Sequence, residues 1–376
     1  VLLLVVPLAV LLVAAWYFST MLLRPDREVH YPETVTSVTD DAVCLARTRW
    51  ARLPGRWALR WSDGAREVGA VLAISAREVR RELLPPAGPR PPVGARVALD
   101  AGMTAADPAA LGLAFEAVLV PAPVGDCPAW LVPGTDPTWV LAVHGRGADR
   151  REVLRVLPTL SRLGHPVLSL TYRNDVEAPP GPDGYYHLGD TEWTDLAAAV
   201  GYARARGARD VVLYGWSMGA AIIGAYLSRG ASCACPVRAV VWDSPVVDWA
   251  ATLRQQARIR RLPPGLAWTA MRLTTARIGI DFSRFDLARR PPSVRPPTLV
   301  LHGAGDSMVP VAASRRLARA AERLDWSIRY VEFPAAEHTA SWNADPDRYR
   351  SIVAQFLTEL VSAAGSRPGA ARSARH

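Results

Sequence analysis

The sequence predicts an α/β protein: eight short strands in one sheet with helices on both faces, preceded by a membrane-spanning helix and a small β-rich segment. Three observations predict it. From about Ala110 onward, short apolar runs alternate with helical stretches, and runs apolar at nearly every position suit strands covered on both faces. Val1 to Leu23 carries no charge. Between these two parts lies a stretch rich in Arg, Trp and Pro with a few strand-like runs. Of 376 residues, 50% are hydrophobic and 21% charged, which supplies a core and excludes intrinsic disorder.

The first element is the apolar run. Twenty-three residues at about 1.5 Å each give roughly 34 Å of helix, enough for a hydrocarbon core of about 30 Å. Trp16 and Tyr17 lie where amphipathic rings favour an interface, and Arg24, Pro25 and Arg27 end the run. A cleaved signal peptide is the competing reading, but its apolar core would be shorter, and no small-x-small cleavage site precedes the charges. The expectation is a single-pass anchor at residues 1–23 and a membrane localisation. The side of the membrane stays open, because the charge bias rests on two arginines.

Residues 24–109 form the second element, an extension and linker. Glu67–Ser75 and Ala95–Leu99 read as strands, and the prolines from Pro85 to Pro92 read as an extended turn between them. No repeat and no chemical motif occurs there.

The main domain is expected over residues 110–364. Its strands are Phe115–Val120, Ala129–Val132, Trp139–Val143, Pro166–Tyr172, Asp210–Tyr214, Val237–Trp242, Thr298–Leu301 and Ser327–Phe333. Thr191–Arg206 is a helix, with Leu196, Val200 and Ala203 on one face and Gly207 as its stop. Asp345 caps a last helix with Pro346 at its first position and Tyr349, Ile352, Val353, Phe356 and Leu360 on one stripe. Between Trp242 and Thr298 the connection is longer than strand–helix loops usually are. Its apolar residues, Trp249, Leu253, Ile259, Leu266, Trp268, Met271 and Leu273 among them, suggest a cap over about 246–296, although an enlarged crossover fits too. Residues 365–376 read as a disordered tail.

The net charge is +9, yet every basic residue is Arg and none forms a stripe interleaved with aromatics, so no nucleic acid partner is expected. Four cysteines, Cys44, Cys127, Cys233 and Cys235, are neither a disulfide scaffold nor a metal set. No metal and no cofactor is expected.

Chemistry concentrates in three short motifs. Gly215-Trp216-Ser217-Met218-Gly219 joins a strand to the apolar stretch Ala220–Leu227, and Gly-x-Ser-x-Gly in a strand–turn–helix context is a nucleophile elbow. His144-Gly145-Arg146-Gly147 follows an earlier strand and can donate a backbone N–H to an oxyanion. The amides of Arg146 and Met218 are the expected pair, each worth roughly 2.7–4 kcal/mol in a transition state. A plain glycine turn, or an Arg146 side chain that reads an anionic substrate, are the other readings. A serine needs a base, and the base an orienting carboxylate. His338 follows the last strand and Asp306 the one before it, giving the order Ser217, Asp306, His338. Asp243, also at a strand end, competes for the acid. Asp281 and Asp286 lie in the insertion. Asp190 and Glu192 read as charges at a helix start. His144 and His302 each open a His-Gly turn and read as structural; the remaining histidines, His30, His165, His187 and His376, lack a partner motif.

With these motifs in that order, the chain from about Ala110 to Ala364 resembles the α/β-hydrolase superfamily. The nearest resemblance is to membrane-anchored bacterial serine hydrolases of the monoacylglycerol-lipase, acyl-thioesterase and prolyl-oligopeptidase-like kinds. The resemblance implies a mostly parallel eight-stranded sheet with its second strand antiparallel, and a cap after the sixth strand. Ala220 departs from the pattern, where a third glycine is frequent. Tyr172 to Asp175 and Pro182 to Asp190 have no role derivable from sequence.

The expected function is hydrolysis of carboxylic esters or thioesters of acyl or lipid-derived groups by Ser217, His338 and Asp306. A peptidase or aminopeptidase on the same residues is the alternative. A membrane-anchored binding protein that kept the fold without the chemistry is the third reading. The oligomeric state is not legible.

Overall fold

The computed structural model describes residues 2–25, 30–86, 88–231 and 235–365, with side chains from Ala9 to Leu360 among them. Cys233 and the expected tail beyond Gly365 lie outside the described residues. The first helix, α1 (Leu2–Leu23), is apolar along its length.

The expectation of a transmembrane anchor is not upheld. Among the described residues no helix is long and apolar enough to cross a membrane. The second half of α1 is also packed on protein. Ala15, Ser19 and Leu23, four residues apart and therefore on one face, are all buried.

The extension is a closed barrel of β1 (Glu33–Val38), β2 (Ala42–Ala46), β3 (Trp57–Trp61), β4 (Gly64–Ile74), β5 (Glu78–Leu83) and β6 (Arg96–Asp100), in the order β1-β2-β5-β4-β3-β6. Closure leaves no strand edge unpaired. Val35, Val43, Leu45, Leu59, Val68 and Val97 fill its interior. Arg81 is fully buried on β5 and donates to four backbone carbonyls, those of Ala51, Leu53, Gly55 and Gly69. Burial pushes its guanidinium down to about 10.

The second sheet has eight strands: β7 (Glu116–Ala122), β8 (Gly125–Val132), β9 (Thr138–Val143), β10 (Val167–Leu170), β11 (Asp210–Trp216), β12 (Val237–Asp243), β13 (Thr298–Gly303) and β14 (Ile328–Phe333). Their spatial order is β14-β13-β12-β11-β9-β10-β8-β7. Only β8 runs against its neighbours, antiparallel to β7 and β10. Each expected strand is present, within a few residues at its ends. Alternation along β9 shows why the strands read as continuously apolar: Trp139, Leu141 and Val143 enter one core, Val140 and Ala142 the other.

Helices cover both faces: α2 (Leu157–Arg162), α3 (Trp193–Ala205), α4 (Met218–Arg229), α5 (Trp249–Ile259), α6 (Pro264–Ile278), α7 (Val311–Ala320), α8 (Ser341–Ala344) and α9 (Pro346–Gly365). Asp345 caps α9 by accepting from the Arg348 amide at 3.1 Å. Helices α5 and α6 make up most of the insertion after β12 and pack on each other, and α6 packs on α1. The barrel meets the main domain beside α8. Asn343 donates to the carbonyls of Arg56 and Ala101, and its own carbonyl accepts from the Arg56 amide.

Candidate active site

Parallel pairing aligns the ends of β9, β11, β12 and β13, so Val143, Gly215, Trp242 and Val300 lie in one row. The loops beyond that row converge at the carboxyl edge of the sheet, where open α/β sheets place their ligands. Ser217 sits at the head of α4 with φ of 50° and ψ of −114°. A positive φ strains a serine and holds its hydroxyl proud of the helix. The turn tolerates no side chain at its far glycine, since a Cβ on Gly219 would lie 2.1 Å from the Val143 carbonyl oxygen.

His338 Nε2 lies 2.9 Å from Ser217 Oγ, and His338 Nδ1 lies 2.8 Å from Asp306 Oδ2. The second Asp306 oxygen, Oδ1, accepts from the amides of Met308 and Val309 at 2.8 and 2.7 Å. Burial opposes the Asp306 charge, yet His338 and His302 beside it hold the carboxyl well below the usual carboxylate range. Burial likewise opposes a charge on His338, but the Asp306 carboxylate raises its pKa above the ordinary histidine value. With Nδ1–H given to Asp306, Nε2 is left to accept the serine proton. The rival acid is elsewhere: Asp243 is fully buried, accepts from Ser244 and Ser341, and has its carboxyl pushed up by burial.

Residues 182–363 match the prolyl oligopeptidase family, and residues 34–100 match a domain of unknown function, DUF8805. No curated protein matches the chain. Among solved structures, an esterase from Pyrococcus furiosus is 19% identical with a TM-score of 0.54, covering 67% of this chain and 95% of its own. In a second crystal form the figures are 20%, 0.54, 68% and 94%. The esterase Est1E from Butyrivibrio proteoclasticus is 18% identical with a TM-score of 0.49, over 65% of this chain and all of its own. The chain has the α/β-hydrolase fold. Its enzyme class is that of the serine hydrolases.

The turn after β9, expected from sequence to supply an oxyanion donor, lies beside the elbow. A Cβ on Gly145 would lie 3.0 Å from the Ser217 Cβ, so the turn lies against the elbow. Gly147, with φ of 73°, lets the chain reverse just beyond it. Met218 opens α4, and the first amides of a helix point outward without intrahelical partners. The Arg146 side chain does not reach for an anionic substrate. Its guanidinium donates to the carbonyls of Met21, Leu22 and Arg24 at the end of α1, at 2.7, 3.0 and 2.9 Å.

Several residues that hold this site carry no sequence motif. Glu152 accepts from the Gly145 amide and pairs with Arg155, which donates to the Thr339 carbonyl. One buried bridge thus ties the oxyanion turn to the residue after His338. Glu337 accepts from the amides of Ser307 and His338, and Arg49 of the barrel bonds both Glu337 and Ser307. His302 Nε2 lies 3.1 Å from Asp306 Oδ2, so the acid carries two imidazoles. Asp175, in a segment without a derivable role, bonds His144 Nε2 at 2.9 Å. Among the described residues no group of three His, Cys, Asp or Glu is placed to hold a metal ion.

A cavity of about 390 Å³ opens above Ser217 and His338. Leu253 and Trp249 of α5 and Leu266 and Met271 of α6 line it, while Ile259 and Trp268 face solvent. Helices α5 and α6 of the insertion thus form part of the wall of the cavity that holds the serine.

Proposed function

We propose that this hydrolase cleaves carboxylic esters or thioesters with an apolar acyl group, through Ser217, His338 and Asp306. The observation that carries this reading is the hydrogen-bonded row Ser217–His338–Asp306 opening directly into an apolar cavity. Ser217 Oγ attacks the carbonyl carbon as His338 Nε2 takes its proton. The oxygen, now negative, is met by the amides of Arg146 and Met218. Collapse breaks the bond to the alkoxide or thiolate, which leaves with the proton from His338. Water then attacks the acyl-serine, again giving its proton to His338, and the acid departs as Ser217 is restored. Asp306 stays ionised throughout and stabilises the imidazolium.

The Pyrococcus furiosus esterase, similar in fold, supports the ester reading. The family match over residues 182–363 favours a second reading, a peptidase. A peptidase that anchors a substrate amine needs carboxylates facing the serine, and the described lining of this cavity holds no Asp or Glu. Labelling by a fluorophosphonate tests the nucleophile: the native chain is labelled, and Ser217→Ala and His338→Ala are not. An ester, thioester and aminoacyl-amide panel then separates the two readings. Faster turnover of the amides than of any acyl ester would overturn the ester reading. A folded native chain that takes no label would return the weight to a binding protein without chemistry.

A further inference from the structure

Helix α1 is built into the site. Beside its buried face of Ala15, Ser19 and Leu23 lie Phe18, Met21 and Leu22, which line the cavity together with residues of α5 and α6. Two sets of bonds fix this placement. Ser19 Oγ accepts from Thr274 Oγ1 and from Arg277 Nη1, each at 3.0 Å, and Thr20 Oγ1 accepts from Arg277 at 2.9 Å. At the other end, Arg146 takes the carbonyls of Met21, Leu22 and Arg24, and the Tyr186 amide takes that of Leu23 at 2.8 Å. A helix leaves its last carbonyls without intrahelical partners. Here the oxyanion turn and the 186 loop satisfy them. The helix therefore cannot leave without exposing those carbonyls, the Arg146 side chain and one side of the cavity together.

We propose that α1 selects the acyl chain, with Phe18 and Leu22 as specificity-determining residues. This rests on the ester or thioester reading. An acyl group bound to Ser217 has apolar surface from two sources to run along: Leu253, Leu266 and Met271 of α5 and α6, and Phe18 and Leu22 of α1. The polar atoms on this side are already engaged. Ser19 is turned to α6, and the Arg146 guanidinium to carbonyls. What α1 offers a substrate is hydrocarbon surface, whose worth grows with each methylene it covers. Chain length is thus read by a helix that lies outside both the catalytic sheet and the insertion.

The test is turnover of 4-nitrophenyl esters from acetate to palmitate by the native chain, Leu22→Trp and Phe18→Ala, each labelled in parallel with fluorophosphonate. Leu22→Trp narrows the channel and is expected to lower the long-to-short ratio of kcat/KM by about tenfold or more, the scale of discrimination a hydrophobic pocket gives. Phe18→Ala widens it and is expected to move the optimum to longer chains. If both variants label like the native chain and both keep its ratio, the proposal is overturned. If Leu22→Trp fails to label, Phe18→Ala alone decides. Failure of the native chain to label would instead sink the hydrolase reading beneath it.

Discussion

The turns His144-Gly145 and His302-Gly303 look interchangeable in sequence. Each ends a parallel strand, each buries its imidazole completely, and each imidazole meets a carboxylate. They differ in what stands on the other ring nitrogen. His144 Nδ1 faces the Gly145 carbonyl at 2.9 Å and Nε2 faces Asp175. Both partners accept, so both nitrogens carry hydrogen and the ring is a cation. Asp175 raises its pKa to about 9 against the opposing effect of burial. His302 Nδ1 faces the Ser314 hydroxyl at 2.8 Å, a group that can donate, so this ring can stay neutral while giving Nε2–H to Asp306. One turn thus holds a buried ion pair that stiffens the oxyanion side. The other lends a hydrogen bond to an acid already working for His338. A His-Gly turn takes its role from its second partner.

The comparison breaks most sharply at the two carboxylates. Asp306→Asn removes the charge that orients His338, and kcat should fall by about 10⁴, the loss typical of a triad acid made amide. Asp175→Asn leaves the triad untouched but loosens the turn beside Ser217, and kcat should fall by up to about 10²-fold, the cost of a misplacement near 1 Å. Equal losses in steady-state kinetics would erase the distinction drawn between the two turns.

Stability against pH sharpens it next. The folded pKa of His144 is raised, so its contribution is complete below the unfolded value near 6.5 and is lost as pH rises through about 9. The shift corresponds to at most about 3 kcal/mol. Denaturant unfolding of the native chain should weaken across that window, and Asp175→Asn should flatten the dependence. A dependence unchanged by Asp175→Asn would place the cation elsewhere.

Activity against pH follows the other histidine. His338 must be neutral to accept the Ser217 proton, and its pKa is raised, so kcat/KM should climb with pH through a midpoint above 6.5. Asp306→Asn should bring that midpoint down, because the carboxylate is what raises it. A midpoint insensitive to Asp306→Asn would assign the titration to another group.

The smallest effect belongs to Arg49, whose side chain is half exposed and whose pair with Glu337 is worth about 1 kcal/mol or less. Arg49→Ala should change kcat by no more than a few-fold. A larger loss would mean the barrel aligns the acid and base loops.

The parts of the site that were legible in sequence are those whose chemistry is local. Gly-x-Ser-x-Gly marks a turn that only small flanking residues allow, and the loops after the last two strands had to carry the acid and base. The central strands of the main sheet were legible because burial on both faces leaves nearly unbroken apolar runs. The barrel was not. Only two of its six strands were read, since in β5 Arg80, Arg81 and Glu82 separate Val79 from Leu83, and one of these, Arg81, points inward rather than out. Its burial depends on four carbonyls brought from elsewhere in the barrel, which no local pattern encodes. Glu152, Asp175 and His302 escaped for the same reason: each has its meaning from a partner loop. The membrane reading of α1 failed because hydropathy registers an apolar helix without registering what covers it, and here Ala15, Ser19 and Leu23 are covered by the protein.

The docking of α1 also fixes an order of events during synthesis. Ser19 and Arg277 are 258 residues apart in the chain. At about 5–20 residues per second, tens of seconds separate the emergence of the helix from that of its docking surface. Through that interval α1 lacks its seat on α6. The catalytic pocket therefore closes late, with a segment made early laid in as one of its last walls.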